Sequence, residues 1–133
     1  MSTRSKSRGN HFSMSAKFPQ TIVVAGVGPW SKKVFDEEAP TLDGRVVFVS
    51  TQDELNTALT SYNVAYVFFT HWRWIVPQDI VERFECVCFH MTDLPYGRGG
   101  SPLQNLIVRG HEHTVLTAFR MDHGIDSGPV YLK

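Results

Sequence analysis

The chain alternates short apolar runs with polar stretches carrying glycine and proline, and the spacing inside each run separates strand from helix. Thr21-Ile22-Val23-Val24-Ala25-Gly26 is apolar almost throughout and rich in β-branched residues, the pattern of a strand buried on both faces. Gly26-Val27-Gly28-Pro29 then predicts a turn into a helix, with Pro29 suited to the first helical position. Arg45 to Val49 predicts a second strand. Thr51-Gln52-Asp53-Glu54 has the form of a capping box, opening a helix with Leu55, Ala58 and Leu59 on one face. Val64 to Phe69 predicts the third strand, Pro77 to Arg83 a short helix and Phe84 to His90 the fourth strand. Ser101-Pro102 starts another helix, with Leu103, Leu106 and Ile107 at helical spacing and Gly110 as its stop. Val115 to Met121 and Pro129 to Lys133 predict two further strands. Strands alternating with helices imply an α/β fold built on a mostly parallel sheet. The pattern then breaks off where a covering helix is expected, which implies either an exposed sheet edge or a C-terminally incomplete domain.

Candidate chemistry gathers at the ends of two of these strands. His90 closes the fourth, where an open α/β sheet binds its ligands, and imidazole can hold or move a proton near neutral pH. Asp126 stands 36 positions later in the loop Gly124-Ile125-Asp126-Ser127-Gly128. If the two strands are neighbours, imidazole and carboxylate meet. Trp72 and Trp74 follow the third strand at the same edge, either as a platform for a flat heteroaromatic ring or as packing over the short helix. Cys86 and Cys88 project from one face of a strand, too close in sequence for an ordinary disulfide, and read as small apolar fillers.

Other motifs are weaker. After Gly26 and Gly28 the third position of a dinucleotide fingerprint falls on Ser31, and residues 46–51 offer no acidic ribose ligand, so no dinucleotide site is expected. His111-Glu112-His113, even with His90, His123 and Asp126, matches no zinc signature, so no metal is expected and a solvated turn is the better reading.

Composition narrows the class without choosing the reaction. The 133 residues are 42% hydrophobic and 20% charged, which suits one globular domain. Lysine plus arginine equals aspartate plus glutamate at 13 each, so the whole chain exerts no pull on nucleic acid or an anionic membrane. No apolar run reaches the ~18 residues of a membrane span. Two unpaired cysteines fit a reducing, cytoplasmic setting. Residues 1–18 combine basic residues and serines with no amphipathic pattern, and are expected to be a disordered tail rather than a transit peptide; residues 19–133 form the domain.

His90, Leu94-Pro95, Arg98-Gly99-Gly100-Ser101-Pro102-Leu103-Gln104 and Met121 to Gly128 occur in order and at the right separations to resemble the catalytic half of the folate-dependent formyltransferases. That family includes the methionyl-tRNA and amino-sugar formyltransferases and formyltetrahydrofolate hydrolase. The resemblance is good over residues 84–133, plausible over 64–77, and general in layout before that. It implies a Rossmann-like three-layer sandwich and, as formyl donor, 10-formyltetrahydrofolate beside Trp74, Ile75, Val76, Pro77, Asp122 and Ile125. It further implies His90 and Asp126 as the proton-handling pair, with Cys88 at the position of the family's asparagine. It also implies an amine acceptor, with a nucleotide-linked amino sugar placed ahead of methionyl-tRNA because the chain carries no net positive charge. Two departures stand beside it: a thiol replaces the asparagine amide, and the family's C-terminal portion has no counterpart here. They motivate a second reading, a catalytically degenerate binding module that completes its edge by dimerisation; a third keeps the enzyme class but uses water as acceptor, as a formyltetrahydrofolate hydrolase.

Overall fold

The computed structural model describes residues 20–133; the tail expected over residues 1–18 lies outside them. Six strands form one sheet in the order β2-β1-β3-β4-β5-β6: β1 (Thr21–Gly26), β2 (Arg45–Val49), β3 (Val64–His71), β4 (Cys86–His90), β5 (Thr117–Arg120) and β6 (Val130–Leu132). β1 to β4 run parallel, as the helical crossovers between them require, whereas β5 and β6 turn back antiparallel. The helices are α1 (Pro29–Glu38), α2 (Gln52–Ser61), α3 (Gln78–Arg83) and α4 (Pro102–Val108). None of them is long and apolar enough to cross a membrane. The architecture is the Rossmann-like α/β sandwich.

The core lies on the face that α2 and α3 cover. Val23, Ala25, Val67, Phe69 and Cys86 point into it from the sheet and meet Leu55, Ala58 and Leu59 of α2 and Ile80 of α3. The capping box at α2 forms with one adjustment. Thr51 accepts the Glu54 N–H at 3.1 Å, while the Glu54 carboxylate reaches past Thr51 to the Ser50 N–H at 2.6 Å and hydroxyl at 3.0 Å. The Ser50 N–H, then its hydroxyl, hold that carboxyl below its ordinary pKa.

Several boundaries shift for identifiable reasons. β3 runs two residues beyond Phe69, because His71 pairs with Gly26 and its carbonyl accepts the Val27 N–H. Phe84 belongs to the end of α3, where its N–H bonds the Ile80 carbonyl, so β4 begins at Cys86. Of the apolar stripe expected on α4 only Leu106 is buried; Leu103 instead lines an open groove with Trp30, Phe89 and Leu116, and Ile107 faces solvent.

Candidate active site

His90 and Asp126 meet because β4 and β5 are neighbours, yet the route differs from a simple juxtaposition of strand ends. β5 is antiparallel, with Thr117 beside His90 and Arg120 beside Val87, so the chain leaves β5 at the amino end of β4. The loop 121–129 then doubles back over the core face of the sheet and returns Asp126 to His90. Gly128 permits that return: a Cβ there would stand 1.6 Å from the Arg120 carbonyl oxygen. Gly128→Ala is expected to destabilise the protein by about 3 kcal/mol, measurable as a lower urea midpoint at unchanged slope.

The pair is tightly held. Asp126 Oδ2 lies 3.7 Å from His90 Nδ1 and accepts the Gly99 N–H at 2.8 Å, while the Asp126 carbonyl accepts the Arg98 Nε–H at 3.2 Å. Asp126 adopts a left-handed φ of 50°, a conformation that aspartate and asparagine tolerate better than other side chains. His90 Nε2 is 2.7 Å from the Gly97 carbonyl oxygen. A carbonyl only accepts, so Nε2 carries the proton, and in the neutral ring Nδ1 is the free nitrogen facing Asp126.

Asp126 and Cys88 lie in the wall of a cavity of about 280 Å³. Its floor is the sheet at Phe69, Cys88 and Phe119; Trp72, Trp74, Ile75 and Val76 form one side, and the loop from Met121 to Asp126 forms the other. The structure therefore brings together Cys88, Asp126, Trp74, Ile75, Val76, Asp122 and Ile125. Two expected residues stand apart. Pro77 caps α3 outside the lining, and His90, 7% exposed, sits behind Asp126. The tryptophans are half-buried rather than exposed: Trp72 packs edge-on against Phe69 and against Trp74, with ring centroids 5.8 Å and 4.8 Å apart. Trp72 packs on the core, and both tryptophans wall the cavity.

Electrostatics divide the lining by role. Asp122 stays ionised, since the Gly124 N–H and then the Ser127 hydroxyl hold its carboxyl below the ordinary range. Burial, with the Asp126 charge adding to it, pushes the Cys88 thiol up to about 11; burial pushes Cys86 up to about 12. Both are free thiols. Cys88 is therefore a neutral wall group rather than a nucleophile. Its alkylation by iodoacetamide at pH 8 is expected to run on the order of 100-fold slower than that of an unperturbed cysteine, as mass spectrometry of timed aliquots would show.

The sequence pattern left some participants unseen. Val81, Phe119, Met121 and His123 also line the cavity, and the Gly97 carbonyl and Gly99 N–H hold the pair. The glycines at 97, 99 and 100 were the available signal, because left-handed φ values at Gly97 and Gly99 aim backbone groups at His90 and Asp126. The histidines of residues 111–113 are exposed, and His111 bonds the Tyr96 hydroxyl at 3.0 Å. The Gly26–Gly28 segment is the tight turn into α1, with Gly28 at φ +92°.

Solved structures that share this fold include formyltransferases. A solved methionyl-tRNA formyltransferase from Clostridium thermocellum superposes with a TM-score of 0.79 at 40% identity, over 85% of this chain and 51% of that one. The formyltransferase PseJ from Anoxybacillus kamchatkensis, solved with a formamido nucleotide sugar and tetrahydrofolate, shares the fold with a TM-score of 0.62 at 24% identity, over 84% of this chain and 58% of that one. The methionyl-tRNA formyltransferase of Rickettsia rickettsii (strain Iowa) is 28% identical over 131 residues, which are 92% of this chain but only 42% of that protein. The chain thus spans less than half of that curated relative. The family described as formyl transferase matches residues 29–133, most of the sheet and the whole of the His90 and Asp126 site, and the chain belongs to that family.

Proposed function

We propose that this chain carries the formyl-donor half of a folate-dependent transfer to an amine, with 10-formyltetrahydrofolate as donor and methionyl-tRNA as acceptor. The observation that carries the reading is the His90–Asp126 pair at the wall of an aromatic-sided cavity. At about 280 Å³ that cavity lies just below the ~300–1,000 Å³ usual for small-molecule sites. It suits a flat bicyclic ring and leaves a longer tail outside. Trp72, Trp74 and Val76 would hold the ring, and the polar groups of residues 122–126 would orient it. When bound, the formyl-folate supplies an activated formyl carbon. The chain's own contribution is proton handling: an amine that attacks sheds one proton, and the folate nitrogen that leaves takes one up. Asp126 faces the cavity and Nδ1 of His90 stands 3.7 Å behind it, so the pair offers two adjoining sites for that proton.

The acceptor is the finer choice. An amino sugar stood first on net charge, but the relatives named as methionyl-tRNA formyltransferases, one of them 40% identical, weigh more than a nucleotide-sugar enzyme at 24%, which supports the fold alone. The test begins with the donor. Isothermal titration with a hydrolysis-resistant 10-formyltetrahydrofolate analogue is expected to saturate at one site. Trp74→Ala should weaken binding about 10- to 100-fold, and His90→Ala only a few-fold, because His90 is outside the wall. A folded chain that takes up no analogue would refute the donor half of the proposal.

A further inference from the structure

His90 Nε2 faces one carbonyl, that of Gly97, and a buried threonine lies beside it. Thr92, 1% exposed, lies two residues past His90. Its hydroxyl donates to the Tyr96 carbonyl at 2.5 Å and lies 3.4 Å from the Gly97 carbonyl, the oxygen that accepts from His90 Nε2. Its methyl group closes on the same turn, since a Cβ on Gly97 would stand 2.6 Å from Thr92 Cγ2. Thr92 is itself anchored: its carbonyl accepts the Thr117 hydroxyl at 2.7 Å, and Thr117 is wholly buried and is the cross-strand partner of His90. A circuit therefore runs from His90 through Gly97, Thr92 and Thr117 back to His90. Packing alone does not call for hydroxyls here, because valine fills the same volume and avoids the cost of burying a polar group. What the Thr92 hydroxyl adds is direction for the Tyr96 and Gly97 carbonyls.

We propose that Thr92 is a positioning residue that clamps the Tyr96–Gly97 turn, fixing His90 as the Nε2–H tautomer and thereby making Nδ1 the nitrogen that exchanges protons with Asp126. The proposal rests on His90 being the base of the site, but not on the identity of donor or acceptor. Its test uses substrate-free protein, so a failure to transfer formyl groups leaves it standing.

Two-bond 15N–1H correlation spectra of the histidine-labelled chain, recorded where the ring is neutral, distinguish the tautomers. The His90 signal is assigned by its loss in His90→Gln. Wild type and Thr92→Ser, which keeps the donor, are expected to show the Nε2–H pattern. Thr92→Val keeps the volume and loses the donor, and should raise the ratio of Nδ1–H to Nε2–H about 5-fold, the equilibrium worth of one ordinary hydrogen bond. A merely structural threonine would lower the melting temperature and leave that ratio unmoved. A wild-type His90 found mainly as Nδ1–H, or a Thr92→Val spectrum matching wild type, overturns the proposal. If Thr92→Val does not fold, Thr92→Ala carries the same expectation and the same refutation, and the wild-type spectrum tests the tautomer by itself.

Discussion

Asp126→Asn is expected to lower formyl turnover by about 100- to 10,000-fold, the range over which a positioned proton-transfer group acts, while leaving the fold intact. The substitution is unusually clean here. Asparagine tolerates the left-handed φ of 50° that Asp126 adopts, and its amide oxygen still accepts the Gly99 N–H now bonded at 2.8 Å. Only the charge facing His90 Nδ1 disappears. If the two residues act as one unit, His90→Gln should cost a similar factor, and the double variant little more than either single one. Donor binding measured alongside should change by no more than a few-fold. Turnover within a few-fold of wild type, in a protein that still binds the donor, would remove the pair from the chemistry and leave it as a structural link between β4 and the returning loop.

Much of this site was legible in the sequence because side-chain pattern and backbone demand coincide there. The apolar runs place β1 and β2 to the residue, and the strand ending in His90 lies next to the strand that precedes Asp126, as their meeting requires. The spacing did not reveal how they meet. Periodicity carries no direction, so the antiparallel sense of β5, which makes residues 121–126 double back over the sheet, has no signature in Val115 to Met121. Backbone partners are equally silent: the Gly97 carbonyl and Gly99 N–H show only as glycines in a loop. The tryptophans illustrate a third limit. Their place after β3 was readable, but their partial burial depends on the side-chain packing against Phe69 and on the loop beyond β5, which is distant in sequence.

Cys88→Asn is expected to raise turnover about 100- to 1000-fold, the worth of one well-placed donor to an oxygen that gains charge during transfer. Residue 88 is aligned with Phe69 of β3 and Phe119 of β5 and lines the cavity alongside Asp126, so its side chain faces the place where the formyl oxygen would lie. As cysteine it gives that oxygen little. The thiol is a weak donor, is held neutral by a pKa of about 11, and is oriented toward the Phe89 carbonyl at 3.9 Å. An asparagine amide presents a stronger N–H, and because residue 88 is only partly buried the larger side chain can extend into the cavity instead of overpacking the core. Three outcomes separate the readings. A large gain identifies a damaged transferase whose remaining parts work. An active protein that does not respond has another donor, and the backbone N–H groups of the glycine loop become the place to look for it. If donor binding is normal and neither wild type nor the variant transfers a formyl group to methionyl-tRNA, an amino sugar or water, the chain is a binding module that retains the folate cavity and the His90–Asp126 pair without using them for turnover.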